Sequence, residues 1–205
     1  MNGKVYAIVA GAMAAGLIGG LAWLAIGRSG EDVAAQCGAG QAGAEIGGPF
    51  ELVNAGGETV TDADVITKPS LVYFGYTFCP DVCPLDTVRN ADAADMLAAR
   101  GHEVQPVFIS VDPARDTPEA VGAFAANISP RMVGLTGSED QVQAASQAYR
   151  TYFRRHDGED DEFYLVDHST FTYLVLPDQG VSGVLRRELT AEQVAETVAC
   201  VLDAT

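Results

Sequence analysis

Short apolar stretches alternate with amphipathic ones along most of this chain, and the alternation predicts strands followed by helices. LVYFGY (71–76) and VQPVFISV (104–111) have the hydrophobicity of buried central strands. FELVN and ETVTD flank AGG and predict a small hairpin, while the irregular stretch 154–168 predicts a hairpin or loop. MVGLT, FTYLVL and VSGVLRREL predict the remaining strands. The order predicts an α/β domain in which a central mixed sheet is flanked by helices.

Capping residues mark where the helices begin. Pro84 fits the first position of the helix after LVYFGY, which leaves Cys83 close to the N-cap. SEDQ and TAEQ have the spacing of capping boxes, and TPE combines a capping threonine with a proline in the first turn. These sequences predict three further helices, which begin after Thr117, Ser138 and Thr190.

The amino-terminal part of the chain differs from the rest. Residues 5–27 are 23 residues without a charged side chain, and a helix of this length spans about 35 Å, enough to cross a bilayer. A buried core helix and a cleaved signal peptide are the alternatives. A buried helix is rarely this long and this uniformly apolar, and the apolar region of a signal peptide is shorter, roughly 7–15 residues. We therefore expect an uncleaved transmembrane helix in residues 1–27, a flexible linker rich in glycine and alanine in 28–48, and the folded domain in 49–205.

The charge distribution narrows the partners and the location. The net charge is −16, and beyond residue 30 the chain has 10 basic and 28 acidic residues. A domain this acidic repels nucleic acid and anionic lipid. We therefore expect no nucleic-acid partner. Lys4 precedes the apolar span, which favours a cytoplasmic amino terminus. The span begins too early to leave room for an organellar transit peptide, so we predict a bacterial inner-membrane protein with its domain in the periplasm.

The segment YTFCPDVCP contains two cysteines, Cys79 and Cys83, each followed by a proline. A disulfide, a redox pair, a metal site and a buried structural pair are all compatible with two such thiols. The prolines stiffen the loop, and the start of a helix stabilises a thiolate, so Cys83 is predicted to ionise easily. A cysteine pair between a buried strand and a helix is typical of a thioredoxin-like domain.

The spacing of the two thiols widens the possible chemistry. Redox enzymes of the thioredoxin type have two residues between the cysteines, whereas this chain has three. The wider separation suits two sulfurs on one metal ion and still permits a disulfide. Two thiolates with an imidazole favour copper over zinc, because a structural zinc site requires four protein ligands.

The chain has three histidines, of which one is a candidate ligand. His102 follows a predicted helix end and His156 lies among charged residues, so both are expected to be exposed. His168 directly precedes the FTYLVL strand, and in a thioredoxin-like fold this position faces the cysteine loop. A histidine that only bonds the backbone at a strand end is the alternative. We predict that His168 is the third ligand.

Cys37 and Cys200 remain outside this motif. They can form a disulfide that joins the linker to the carboxy-terminal helix, or remain a linker thiol and a buried thiol. Of these two arrangements, the unpaired one is the expectation from the sequence.

The spaced motifs YFGYTFCPDVCP, ISVDPARDTPE, GLTGS and DHSTFTYLVLPD resemble those of the Sco (SenC/PrrC) family over roughly residues 45–203. The resemblance implies a membrane-anchored copper chaperone that binds one copper ion, as Cu(I) or Cu(II), through Cys79, Cys83 and His168. It also implies a role in assembling the binuclear copper site of cytochrome c oxidase subunit II. The residues that match the second motif are expected to support the site rather than bind copper, and they are Asp112, Pro113, Arg115, Asp116 and Pro118.

Two functions remain open on this basis. The leading hypothesis is copper transfer to subunit II by ligand exchange, with another periplasmic copper chaperone or a thiol reductase as a further partner. The alternative is a thiol–disulfide oxidoreductase in which Cys79 and Cys83 are a redox pair that reduces the cysteines of subunit II. A redox or copper sensor would use the same residues. Any enzymatic activity is therefore expected to be thiol–disulfide exchange.

Overall fold

The structure is a computed structural model, and it describes residues 33–40, 46–156 and 164–205. Its strands are β1 (Glu51–Asn54), β2 (Thr59–Thr61), β3 (Ser70–Gly75), β4 (Gln105–Ser110), β5 (Val133–Thr136), β6 (Phe153–Arg155), β7 (Val166–His168), β8 (Thr172–Leu176) and β9 (Gly180–Leu185). Its helices are α1 (Asp62–Val65), α2 (Val82–Ala98), α3 (Pro118–Ile128), α4 (Glu139–Ala148) and α5 (Ala191–Ala204).

Seven strands form one mixed sheet in the order β2-β1-β5-β4-β3-β8-β9. β4 pairs in parallel with β3 and β5, and the other pairs in this sheet are antiparallel. All six residues of β3 are buried, as the hydrophobicity of LVYFGY predicts. One apolar cluster includes α3 and α4, and a second includes α5 and the later part of α2. The predicted mixed sheet flanked by helices is confirmed.

Three chain segments meet at one edge of this sheet. β3 and β4 are parallel and end together, with Gly75 opposite Ser110. β8 is antiparallel to β3 and begins at the same edge, with Thr172 opposite Tyr73. The stretch 154–168, which is predicted to be a hairpin or loop, contributes to a separate antiparallel pair of strands, β6 and β7. Phe153 lies opposite His168 in this pair. The segments after β3 and β4 and before β8 are therefore brought together.

The start of α2 differs from the prediction. The helix begins at Val82 with Asp81 as its N-cap, so Cys83 lies inside the first turn rather than beside the N-cap. Pro84 is tolerated there because the first N–H groups of any helix have no partner within the helix. The capping boxes at Ser138 and Thr190 and the cap at Thr117 are confirmed.

Residues 33–40 are folded, although their composition predicts a flexible linker. They form one helical turn at 33–36 and a single bridge from Gly40 to Val184 of β9. Ala34 is completely buried and Ala39 is nearly so. A side chain on Gly183 would approach Ala39 to 3.0 Å, so the glycine makes room for this close contact. Small residues without periodicity predict a linker, but here their size allows them to cover the edge strand β9.

Cys37 and Cys200 form a disulfide in this structure, with their Cα atoms 5.7 Å apart. The expectation that they are unpaired is therefore wrong. The pairing depends on the packing of residues 33–40 against α5 and β9, which the sequence does not reveal. The predicted transmembrane helix in residues 1–27 lies outside the described residues. Within the described ranges, no helix has both the length and the hydrophobicity needed to cross a bilayer.

Candidate metal centre

The three predicted site residues converge at the shared edge of the sheet. Cys79 lies in the segment after β3, Cys83 in the first turn of α2, and His168 at the end of β7. One potential ligand atom from each lies within 4.8 Å of the other two. The Sγ atom of Cys83 is 3.2 Å from Nε2 of His168. Both cysteines are buried and neither is in a disulfide.

Hydrogen bonding presents one particular nitrogen of His168 to the cysteines. The Nδ1 atom of His168 is 3.0 Å from the backbone oxygen of Ser169. A carbonyl oxygen only accepts, so Nδ1 carries the proton and Nε2 of the neutral ring has a free lone pair. Burial lowers the pKa of His168, which favours this neutral form. The rings of Tyr73 and Tyr76 pack edge-on against the imidazole, at centroid distances of 6.1 and 5.7 Å.

The environment of Cys83 contradicts the prediction that its thiol ionises easily. Cys83 is completely buried. Burial raises its pKa well above the usual value, and a hydrogen bond with Cys79 raises it further. Loss of solvation outweighs the helix start here, because removing the thiolate from water costs more than a few partial charges return. The backbone N–H of Cys83 instead points to Sγ of Cys79, at 3.4 Å.

Gly75 allows the Cys83 thiol to lie directly against β3. A Cβ atom at this position would lie 2.9 Å from Sγ of Cys83 and 2.9 Å from Cε1 of Tyr73. Both distances are shorter than real side-chain contacts, so any residue other than glycine would displace the thiol. The sequence analysis did not identify this role, since glycine in a strand also marks bulges and bends.

Asp116, from the second motif, holds the cysteine loop. Its buried carboxylate accepts hydrogen bonds from the backbone N–H and the hydroxyl of Thr77, at 2.9 and 2.6 Å, and from the hydroxyl of Ser110 at 2.5 Å. Thr77 lies two residues before Cys79. The expectation that Asp116 supports the site therefore agrees with its contacts. The role of Thr77 was missed, because 39 residues separate it from Asp116.

Asp112 joins the second motif to the segment that leads into β7. It accepts hydrogen bonds from Nε of Arg115 at 2.6 Å and from the hydroxyl of Tyr164 at 2.5 Å. The guanidinium of Arg115 lies over the Tyr164 ring, 3.5 Å from its centroid. Tyr164 was missed from the sequence, where it is one aromatic residue in an acidic stretch. These contacts hold the strand that carries His168 against the loop after β4.

The other two histidines lie away from this cluster. His156 is exposed, as predicted, and its Nε2 atom is 2.7 Å from a carboxylate oxygen of Asp167. His102 is partly buried beside Asp203, with 3.4 Å between the imidazole and the carboxylate. Neither belongs to the Cys79–Cys83–His168 group.

Comparison with known proteins identifies the family. The sequence pattern described as SCO1/SenC matches residues 38–203, which is most of the chain. The chain belongs to the SCO1/SenC family. Protein SenC of Rhodobacter capsulatus is 58% identical over 168 residues, which are 82% of this chain and 75% of that protein. The chain spans less than half of the length of the mitochondrial SCO1 homologs that it matches.

Solved structures of SCO1/SenC relatives share the fold. Arabidopsis thaliana ScoI, solved with copper bound, has a TM-score of 0.75 and 35% identity, over 78% of this chain and 99% of that one. BsSco has a TM-score of 0.58 and 25% identity, over 76% of this chain and 92% of that one. It is described as having a disulfide switch and as a member of the Sco family of cytochrome c oxidase assembly proteins. The thioredoxin-like Sco fold is thus confirmed.

The donor set of this SCO1/SenC chain fits copper. Two thiol sulfurs are soft ligands that select Cu(I), and an imidazole nitrogen suits both copper oxidation states. Sco structures have been solved with copper bound, and the Cys–Cys–His group of this chain could hold a metal ion. The burial of both thiols would limit the access of water to an ion held there.

Proposed function

We propose that this protein is a membrane-anchored copper metallochaperone that binds one copper ion through Cys79, Cys83 and His168. In this proposal it delivers the ion to the binuclear copper site of cytochrome c oxidase subunit II. The observation that carries the proposal is the convergence of two sulfurs and one imidazole nitrogen within 4.8 Å. Copper in the Arabidopsis thaliana relative and the family role stated for BsSco support it.

The arrangement of the three donors suits a metal ion that is bound tightly and later transferred to a partner protein. Cys79 and Cys83 supply sulfurs from the main sheet edge and α2, whereas His168 comes from the separate β6–β7 hairpin. The imidazole and the two sulfurs therefore come from different structural units. Copper transfer proceeds by ligand exchange, in which thiolates and imidazoles of the partner replace these ligands one at a time.

The location follows from the amino-terminal sequence. The 23 uncharged residues at 5–27 anchor the protein in the bacterial inner membrane, and the domain lies in the periplasm. In this location the Cys79–Cys83–His168 site lies on the periplasmic side of the membrane. A copper site of an oxidase subunit that is exposed to the periplasm lies on the same side. Another periplasmic copper chaperone or a thiol reductase is a further partner in this proposal.

A second candidate function is thiol–disulfide exchange with the same partner. Both thiols are unpaired, and the N–H of Cys83 is 3.4 Å from Sγ of Cys79, so the two cysteines are close. The disulfide switch described for BsSco supports this alternative. In the reaction, a partner disulfide is reduced to two thiols while Cys79 and Cys83 are oxidised to a disulfide.

The experiment measures copper stoichiometry and thiol exchange on the same full-length protein in detergent. The reduced protein should bind one copper ion, and the protein with the Cys79–Cys83 disulfide should bind none. His168→Ala should lose tight copper binding but continue to reduce a disulfide peptide. If His168→Ala binds copper with full affinity, the three-ligand site is wrong, and thiol exchange becomes the better assignment.

A further inference from the structure

A buried polar cluster lies directly behind the three candidate ligands. Tyr73 and Asp86 are almost fully buried, and Arg89 is nearly so. The hydroxyl of Tyr73 donates to Oδ2 of Asp86 at 3.0 Å. The other carboxylate oxygen of Asp86 lies 3.7 Å from the guanidinium of Arg89 and 3.6 Å from that of Arg187. None of these four side chains belongs to the ligand set.

Arg89 is held rigidly by neutral acceptors. Its guanidinium donates to the backbone oxygen of Arg187 at 2.7 Å and to the hydroxyl of Thr172 at 2.9 Å. It thereby joins α2 to the start of β8 and to the segment after β9. Buried charged groups are costly unless they are paired and hydrogen-bonded. Arg89, which is held by these bonds, therefore keeps the carboxylate of Asp86 beside it.

Tyr73 contacts two of the three candidate ligands. Its ring packs edge-on against His168, with planes at 88°. Its Cε1 atom and Sγ of Cys83 converge on the same face of Gly75, each 2.9 Å from the site of an added Cβ. The hydroxyl at the far end of the ring is hydrogen-bonded to Asp86, so the polar cluster holds the ring in this position.

The charges of the cluster largely compensate one another. The carboxylate of Asp86 faces the guanidinium groups of Arg89 and Arg187, and Glu188 interacts electrostatically with Arg89. The cluster therefore acts on the site through geometry, because it fixes the carboxylate that accepts the hydrogen bond of Tyr73.

We propose that Tyr73 is a positioning residue whose ring holds the sulfur of Cys83 against His168. Asp86 holds that ring in place by accepting the hydrogen bond of its hydroxyl, and Arg89 and Arg187 flank Asp86. The inference rests on the proposed copper site and specifies what sets its affinity. Hydrogen-bond partners behind metal ligands typically change metal affinity by about 10–100-fold.

The test compares substitutions that remove one interaction at a time in the full chain, reduced and purified in detergent. Tyr73→Phe retains the ring beside His168 but loses the hydroxyl, so its Cu(I) affinity should fall by about 10-fold. Its thiolate-to-Cu(II) absorption band should also shift in energy. Asp86→Ala should produce the same changes, while Asp86→Asn, which retains an oxygen acceptor for Tyr73, should lie closer to the unmodified protein. Affinity is measured by competition with a Cu(I) chelator.

Tyr149→Phe is the matched control. Tyr149 is equally buried, and its ring packs on Phe74 and Tyr173 rather than on a ligand. If Tyr73→Phe and Asp86→Ala bind copper as tightly as Tyr149→Phe, with an unshifted band, the inference is overturned. If Tyr73→Phe fails to fold, the two Asp86 variants still provide a test. The inference is overturned if Asp86→Ala and Asp86→Asn have the same Cu(I) affinity and the same thiolate-to-Cu(II) absorption band. If the proposed copper site is itself wrong, the result is different, because the unmodified protein then binds no copper.

Discussion

The Sγ atom of Cys83 lies 3.2 Å from Nε2 of His168, although 85 residues separate them in the chain. Cys83 belongs to the first turn of α2 and His168 to the β6–β7 hairpin, so the contact joins two separate structural units. The hydrogen bond from Nδ1 to Ser169 leaves Nε2 as the nitrogen that faces the sulfur. A thiol pair and a histidine thus become a three-donor site only in the folded domain.

Copper affinity should increase with pH. Burial raises the pKa of Cys83, so its thiol is protonated in the metal-free protein and must release that proton to bind copper. This group alone gives about a tenfold gain in affinity per pH unit. Chelator competition between about pH 6 and 8 checks the slope, where Cys83→Ser should flatten it. A slope of zero in the unmodified protein would contradict the buried-thiol description.

His168 should make the metal-free fold less stable in mild acid. Burial lowers its pKa, so the unfolded chain binds a proton more readily than the folded one. This contribution is fully present above the unfolded pKa of about 6.5, is lost as the pH falls toward the lower folded pKa, and then levels off. Thermal unfolding across this range checks it. His168→Gln should remove this part of the pH dependence, and an unchanged pH dependence in that variant would contradict the prediction.

Replacing Gly75 by alanine should weaken both the fold and the site. The added Cβ would lie 2.9 Å from Sγ of Cys83 and 3.1 Å from the ring of Phe108. Overpacking of this kind costs about 1–3 kcal/mol and should displace the thiol from His168. Gly48→Ala is the control, because its added Cβ meets its neighbour at an ordinary 3.5 Å. Denaturant unfolding and copper titration measure the two effects, and equal behaviour of the variants would contradict the close contact.

Loosening the cysteine loop should reduce copper affinity without removing a ligand. Asp116→Asn replaces one acceptor oxygen by a donor that faces the groups from Thr77 and Ser110. Hydrogen bonds to charged groups contribute about 1.5–3 kcal/mol, so we expect a stability loss of about 2 kcal/mol. Thr77→Val removes the hydroxyl bond but retains the backbone bond, and should cost less. Copper titration measures the effect on the site. If Asp116→Asn binds copper with unaltered affinity, the hydrogen bonds that anchor the loop do not set the geometry of the site.

Removing the Cys37–Cys200 disulfide should lower stability but leave copper binding intact. The bond closes a loop across 163 residues of separation, which spans almost the whole domain. Loss of such a cross-link costs about 2–5 kcal/mol. The double variant Cys37→Ser/Cys200→Ser avoids a leftover thiol. When Cys79 and Cys83 are also replaced by serine, so that no other disulfide can form, its thermal unfolding should no longer respond to a reductant. A copper stoichiometry of the double variant below that of the unmodified protein would connect this bond to the site.

Local sequence determined the elements of this fold well. Capping boxes and hydrophobic runs depend on residues three or four positions apart, so the starts of α3, α4 and α5 and the course of β3 are readable from the chain alone. The start of α2 was misplaced, because proline is accepted at more than one position of a first turn. The candidate ligands were predicted from their places in the chain, since Cys79 and Cys83 lie between a buried strand and a helix and His168 directly precedes another strand. The resemblance to the Sco family implies the same three residues.

Tertiary structure alone decided the remaining features. It buried Cys83 so completely that desolvation raises its pKa, although a helix start by itself predicts the opposite. It paired Cys37 with Cys200 and Thr77 with Asp116, and it placed Tyr73 between a ligand and a buried carboxylate. The physical reason is common to these cases: solvation and long-range contacts depend on which faces pack together, whereas composition and periodicity report only on near neighbours in the chain.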